Sequence, residues 1–385
     1  MNKVRVAVVG MGIGRPNGLA LASNPRAEVV ALCDLVEESM TDFAALLPQP
    51  DEVRLYTDFD ELCRSREIDA IFIGTPNQLH VPMGLKAVAH DKHVLVTKPL
   101  ADSVEAAEQM VEAAEAAGIV NMMSLSTRFS AEVQYMGALA RLGTFGDLYY
   151  ARARSIRRNG IPAWNTGFIR KGGGAFRDMG VHVLDAAWWM LGMPRPVSIT
   201  GVAGARFGPR GLGFFGRKAP DEVAAAPKSY YSQFAADDYA GGFIRFENGG
   251  ALQVESFWAS HQPGDLQIEL FGEESGAQVR PPTLYTNGPV PTAVVETARK
   301  FGAKPVAGRS LKDEGRPLDI TFDGLTKERS KAWNAIADHF IDCILDDVPC
   351  EAPLRHGLTV QKMMEGLLTS AETGRELRLD SGRVD

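Results

Sequence analysis

The chain lacks an N-terminal apolar run long enough for a signal peptide or a membrane span. Val4–Val9 is the only candidate there, it is too short for either, and no cleavage site follows it. Positive charge is not in excess: 41 Lys and Arg stand against 48 Asp and Glu, for a formal net charge of −7. That balance gives no reason to expect a nucleic acid or an anionic membrane as partner. Cysteine is scarce, and Cys33, Cys63, Cys343 and Cys350 have no metal-type spacing. They are read as structural thiols of a reducing compartment, with no metal expected. Internal repeats and low-complexity tracts are missing as well. The expectation is a cytoplasmic globular protein, and 385 residues suffice for two domains with separate cores.

The first 125 or so residues alternate strand and helix patterns. Val4–Val9, Glu28–Cys33, Ala70–Gly74, His93–Thr97 and Ile119–Leu125 read as strands. Helical stretches fall before Ser23, over Leu35–Leu47, over Leu79–His90 and over Ser103–Ala117, where Gly118 stops the last of them. Apolar strands separated by helices indicate a parallel sheet covered on both faces. After Arg128 the texture changes. Leu148–Ile156, Gly242–Glu247, Ala251–Trp258 and Gln267–Phe271 read as strands, with Asn248-Gly249 as a hairpin turn. A helical run reaches Leu191, and two more, Lys327–Leu345 and Gly357–Arg375, close the chain. Grouped strands and segregated helices predict an α+β domain. The Gly- and Pro-rich stretches Gly204–Pro227 and Pro281–Pro317 are expected to be long loops.

Three motifs carry chemistry. Gly10-Met11-Gly12-Ile13-Gly14-Arg15 follows the first strand and opens a helix. Glycines there let the backbone approach a pyrophosphate, and the helix N-terminus supplies free N–H groups. Asp34 ends the second strand, where a carboxylate accepts ribose hydroxyls and repels a 2′-phosphate, so NAD is expected over NADP. The competing explanation of Asp34 is a helix cap. Thr75-Pro76-Asn77 with His80, and Thr97-Lys98-Pro99, end the next two strands, the side on which parallel sheets bind ligands. Lys98 there can hydrogen-bond a substrate hydroxyl and lower its pKa; otherwise it is a surface lysine. The third motif runs from Gly172 to His182. Asp178 and His182 are four apart and share one helix face, which Asp185 and Trp189 continue. Val183, Leu184, Ala187, Trp188 and Leu191 supply packing, and the cost of Gly180 within a helix suggests close approach of a ligand. A neutral imidazole can take a hydroxyl proton as hydride leaves, with Asp178 orienting it. A helix-stabilising Asp–His pair is the plain alternative.

The chain resembles the Gfo/Idh/MocA family of sugar and polyol dehydrogenases. The resemblance rests on the Gly10–Gly14 turn, Thr75-Pro76-Asn77 with His80, Lys98-Pro99, the GGGxxxDxGxH pattern from Gly172 to His182, and the closing segment Asn334–Gly374. It implies an α/β Rossmann domain over residues 1–125. An α+β substrate and oligomerisation domain over 126–385 follows, with an open, mainly antiparallel sheet and with closing helices that are candidates to pack back on the first domain. It implies NAD as cofactor, held by Gly10, Gly12, Ile13, Gly14, Asp34, Thr75, Pro76, Asn77, His80, Thr97 and Lys98. Thr97 stands where the family has an acidic residue, and it offers a hydroxyl in its place. The catalytic group implied is Lys98, Asp178 and His182, without metal. Arg128, Trp164 and Asn165 join that group as expected substrate contacts. A homodimer or homotetramer through the second-domain sheet is implied too.

The expected activity is hydride transfer between a secondary alcohol of a sugar, cyclic polyol or glycoside and the nicotinamide. An NAD-binding sensor is the first rival, but a sensor has no chemical need of Lys98, Asp178 and His182 together. A lyase or hydrolase using bound NAD for transient oxidation is the second, and net NADH accumulation separates it. Arg152, Arg154, Arg157 and Arg158 lead to the loop Ile161-Pro162-Ala163-Trp164-Asn165, where Trp164 could stack on a sugar and Asn165 bond a hydroxyl. The arginines raise the option of a phosphorylated or acidic sugar.

Overall fold

A computed structural model describes residues 3–216, 219–223, 226–306, 318–325 and 329–379. The chain divides into two compact units, Met1–Phe129 with Glu328–Lys362, and Ser130–Lys327 with Met363–Asp385.

The first unit is built on a parallel sheet. Its strands are β1 (Val4–Val9), β2 (Ala27–Cys33), β3 (Arg54–Tyr56), β4 (Ala70–Ile73), β5 (His93–Thr97) and β6 (Asn121–Ser124), in the order β3-β2-β1-β4-β5-β6. This is a doubly wound arrangement, whose order reverses beside β1 and puts the ligand crevice at the carboxyl ends of β1 and β4. Between the strands run α1 (Gly14–Ser23), α2 (Glu37–Ala44), α3 (Phe59–Arg64), α4 (His80–Val88) and α5 (Val104–Ala116). Central strands buried on both faces need continuous apolar sequence. Val6, Ala7, Val8, Ile71, Phe72, Val94 and Val96 are accordingly fully enclosed. Ser103 caps α5 by accepting Ala106 N–H, and Asp58 caps α3 through Asp60 and Glu61 N–H. The helix Arg329–Asp346 returns to this unit and buries Ile336, Ala337, Phe340 and Ile341 in the same core. No helix among the described residues is long and apolar enough to cross a membrane.

The second unit carries a mixed, mostly antiparallel sheet. It opens with α6 (Ala131–Arg141), β7 (Leu148–Ile156), β8 (Ile161–Pro162) and α7 (Val181–Met190). There follow β9 (Pro196–Gly204), β10 (Phe214–Gly216), β11 (Ala219–Val223), β12 (Tyr239–Phe246), β13 (Ala251–Phe257), β14 (Asp265–Gly272), β15 (Ser275–Gln278), β16 (Thr283–Thr286), β17 (Lys304–Val306), β18 (Leu318–Asp323) and β19 (Leu377–Arg378). The order is β17-β18-β16-β15-β14-β7-β13-β12-β9-β19, with β7 and β13 parallel. Alternation along β7 sends Ala151, Ala153 and Ser155 to the buried face and Arg152 and Arg154 to the other. Tyr149, Val202 and Phe243 stand exposed on the sheet. β12 and β13 form the expected hairpin, with Gly249 at φ +84° in its turn. The two supposed long loops are structured in part. Gly204–Pro227 contains β10 and β11, and Pro281–Pro317 contains β16, the helix Thr292–Lys300 and β17; residues 307–317 lie outside the described residues.

Candidate functional site

The turn after β1 gives each of its glycines a different job. Gly10 has φ +86°, and a Cβ there would stand 2.6 Å from Gly74 O at the end of β4. Only glycine accepts that backbone and that approach. Gly14, the first residue of α1, packs on Val8, whose Cγ1 would lie 3.0 Å from an added Cβ. Gly12 differs from both: among the described residues nothing lies within 4 Å of the Cβ position, so the turn is open on that side. Ile13 precedes α1 without a side-chain cap, and no acidic residue sits in the first turn. Uncapped N–H groups beside an open glycine backbone suit an anionic group such as a pyrophosphate. Asp34 accepts Met11 N–H through Oδ2 at 2.7 Å and Val36 N–H through Oδ1 at 3.1 Å. The carboxylate thus ties the turn to the end of β2, and each oxygen keeps a further lone pair for a ribose hydroxyl. Arg15, in the place of a third glycine, lies outside the turn and donates to Ser39 O at 3.0 Å.

The loops after β4 and β5 are held together by His80. Its Nδ1 lies 2.8 Å from Pro99 O and its Nε2 2.8 Å from Thr75 O. The ring is fully buried, which pushes its pKa below the ordinary value, while the carbonyls of Pro99 and Thr75 act the other way. This corrects the expectation of a cofactor contact: the ring is wholly enclosed between the Pro99 and Thr75 carbonyls, to one of which a neutral imidazole donates, so His80 joins the two loops and leaves no exposed edge for a cofactor. Thr75, Asn77 and Lys98 are half-buried, Pro76 is exposed and Thr97 is 8 % exposed. The Lys98–Pro99 peptide is cis.

In the second unit the segment from Phe176 to Gly180 is a π-helical turn, followed directly by α7. Such wide turns are rare and concentrate at functional sites. Asp178 lies within it and His182 is the second residue of α7, so the pair straddles the change of helix type; both are half-buried. Trp258 Nε1–H donates to Asp178 Oδ2 at 3.0 Å, and Asp178 N–H donates to Gly174 O at 3.0 Å. Gly180 has a different reason from the expected ligand: its Cβ would lie 2.4 Å from the Phe176 ring, four residues back. Gly173 is forced likewise, because a Cβ would meet Phe168 O at 2.0 Å. Asp185 is fully buried, and Trp189 packs against Gly137 of α6 with Arg141 5.0 Å above its ring. The expected polar stripe therefore ends at His182.

Sequence reasoning missed Asp237, which lies in the loop before β12. Burial pushes its carboxyl up to about 6, against the lowering effects of Phe176 N–H and the Arg177 guanidinium. Its only sequence signals were the Asp237-Asp238 pair and the third glycine of Gly172–Gly174.

Arg128 is corrected as a substrate contact. It is fully buried in the first unit, where its guanidinium donates to Glu351 O and lies 3.1 Å from His356 Nδ1. Arg152 and Arg154 are paired with Glu269 and Asp265 of β14, so these two of the four arginines no longer argue for an acidic substrate. Trp164 is 41 % exposed and braced edge-on by Phe215 at 4.9 Å and Phe168 at 6.2 Å. Asn165 Oδ1 accepts Gly167 N–H at 2.8 Å, within an exposed turn. His339, Cys343 and Cys350 bring potential metal-binding atoms within 4.8 Å of one another. However, His339 Nε2 already accepts Glu351 N–H at 2.8 Å, so its lone pair is committed.

Residues 4–125 match the family profile described as oxidoreductase family, NAD-binding Rossmann fold, and residues 133–278 match the GFO/IDH/MocA C-terminal domain. The chain is 26 % identical to D-glucoside 3-dehydrogenase of Escherichia coli (strain K12), over 98 % of this chain and 97 % of that protein. It is 28 % identical to scyllo-inositol 2-dehydrogenase (NAD(+)) of Bacillus subtilis (strain 168), over 71 % and 72 %. Levoglucosan dehydrogenase, solved with NADH and levoglucosan, has the same fold at a TM-score of 0.78 and 18 % identity, covering 99 % of this chain and all of that one. Sequence and fold thus agree that the chain belongs to the Gfo/Idh/MocA oxidoreductase family.

Proposed function

We propose that this protein is an NAD-dependent dehydrogenase acting on a secondary alcohol of a sugar, cyclic polyol or glycoside. The observation that carries the reading is the turn after β1: Gly10 locked against Gly74, Gly12 open, and an uncapped α1 N-terminus beside Asp34. NAD, when bound, supplies the hydride acceptor. Backbone N–H groups of the turn hold its pyrophosphate, Asp34 takes the ribose hydroxyls, and Thr75, Asn77, Thr97 and Lys98 line the strand ends. A 2′-phosphate would meet the Asp34 carboxylate, hence the preference for NAD.

The alcohol must lose a proton as it loses hydride. Neutral His182 accepts that proton, and Asp178 stabilises the imidazolium. Asp178 is suited to this because the Trp258 indole donates to its Oδ2 and so fixes the orientation of the carboxylate. Lys98 stabilises the developing negative charge on the substrate oxygen as a cation. Trp164 offers an apolar face for a sugar ring and Asn165 a hydrogen-bonding side chain. The names of the two curated relatives support the substrate class. The exposed face of the second-unit sheet, with Val202 and Phe243, is the proposed contact between copies of the chain.

The test is the split between turnover and cofactor affinity. His182→Ala lowers turnover by roughly 10²–10⁴-fold and leaves NAD affinity unchanged, whereas Lys98→Met lowers turnover and weakens NAD binding. Near-normal turnover of His182→Ala across pH would assign the base to another group.

A further inference from the structure

We propose that the ionised carboxylate of Asp237 is a positioning residue that sets the working geometry of Asp178. The inference rests on the role given to Asp178 above and extends it to a residue that no motif marks.

The connection runs through the entry to the π turn. Asp237 Oδ2 accepts Phe176 N–H at 2.9 Å, and Asp237 O accepts Ala175 N–H at 3.0 Å. Two successive donors at the start of the turn are therefore held by one residue. Gly174, immediately before, has φ +116°, and a Cβ there would sit 1.9 Å from Asp237 Oδ1. A glycine is required because the carboxylate occupies that space. Gly174 O is in turn the acceptor of Asp178 N–H. From β13, Ser256 Oγ–H donates to Ala175 O at 3.0 Å, and the Trp258 indole, just beyond the strand, holds the Asp178 carboxylate. Asp178 is thus fixed between Gly174 and Trp258, and Asp237 fixes the Gly174 end.

An enclosed carboxylate is costly where a neutral acceptor could serve. Its use here indicates that charge strengthens the bond to Phe176 N–H. The charged and titratable groups around it are Arg177 and Asp178 on the same turn, Asp238 beside it, and Glu365, which pairs with Arg177 at 2.6 Å. Asp238 has a different task. Its side chain accepts N–H groups of Arg206, Phe207 and Gly208, and only its backbone carbonyl, which the substitution to Asn leaves in place, accepts Trp258 N–H at 2.9 Å. Asp238→Asn therefore serves as a control for loss of a buried acid in this loop.

The experiment uses the full chain with ¹⁵N-labelled tryptophan indoles, of which there are five, the Trp258 signal being assigned by Trp258→Phe. The Trp258 indole resonance should shift as the raised Asp237 carboxyl titrates, with a midpoint near pH 6 in the wild type. In Asp237→Asn that step is absent and the resonance stays at its low-pH position. Asn retains an acceptor for Phe176 N–H, so the variant folds. In turnover, the wild type exceeds Asp237→Asn by about tenfold well above the midpoint, and the ratio falls toward one below it, with NAD affinity unchanged. Asp238→Asn keeps the indole step. A Trp258 resonance indifferent to Asp237→Asn and to pH near 6 would overturn the proposal, even in an active dehydrogenase. If the step is present and no alcohol is oxidised, the coupling stands and the dehydrogenase reading falls.

Discussion

Gly12→Ala separates a glycine needed for folding from one needed for a ligand. The Cβ would meet nothing within 4 Å among the described residues, and the residue is not at positive φ. Thermal stability should therefore stay within about 0.5 kcal/mol of the wild type, as for a surface substitution. If a pyrophosphate lies against that backbone, the methyl group holds it away from an N–H donor. A hydrogen bond to a charged group is worth about 1.5–3 kcal/mol, so NAD affinity should fall roughly 10- to 150-fold. Gly10→Ala behaves oppositely. It forces an alanine to φ +86° with its Cβ 2.6 Å from Gly74 O. The conformation costs about 1–2 kcal/mol and the clash about 1–3 kcal/mol more, and both appear as lost stability of the apoprotein. The assays are melting without cofactor and calorimetric titration with NAD. A Gly12→Ala protein that binds NAD with wild-type affinity would refute the placement of the cofactor.

Asp34 should make kcat/KM for NAD exceed that for NADP by roughly 100-fold or more, given repulsion of a few kcal/mol in a poorly solvated crevice. Asp34→Ser should narrow the ratio, and a wild type that prefers NADP would contradict the role of the carboxylate. For pH, burial and then the neighbouring Arg128 hold the His356 imidazole down to about 4, against an unfolded value of 6.5. Its neutral form is favoured in the fold, so stability is intact above about 6.5 and is lost as pH falls toward 4, by about 3 kcal/mol in all. Asp237 acts the other way: its raised carboxyl binds a proton in the fold first, so stability rises by about 3 kcal/mol as pH falls from 6 toward 3.8. Denaturant unfolding of His356→Gln should therefore lose the decline, and that of Asp237→Asn should lose the opposing rise. Unchanged pH slopes in both variants would refute the pairing.

The first unit was legible because its strands are buried on both faces and must be apolar throughout. Val4–Val9 and His93–Thr97 emerge with the expected ends. The short edge strand Arg54–Tyr56 did not, since its residues are partly exposed and carry no apolar run. In the second unit, Leu148–Ile156 was readable from alternation, whereas β9 hides its pattern in small residues. Gly201 of β9 is there because a Cβ would meet Leu367 O at 2.3 Å, a tertiary reason that no local pattern announces. The turn after β1 was readable because a tight turn needs glycine in sequence. The roles of His80 and Arg128 were not, because each is defined by carbonyls distant in the chain. The arginines of β7 suggested an anionic ligand only until their carboxylate partners on β14 came into place.

The most direct test of the central claim follows a hydride. The protein is mixed with NAD and, in turn, with polyols, sugars and glycosides that carry deuterium on each secondary carbinol carbon. NADH should accumulate with at least one of them, with deuterium on the nicotinamide ring and a ketone on the substrate. His182→Ala should bind NAD equally and form NADH at least about a hundredfold more slowly. Tight NAD binding with no deuterium transfer from any compound would contradict the account and leave a protein that holds NAD without oxidising an alcohol.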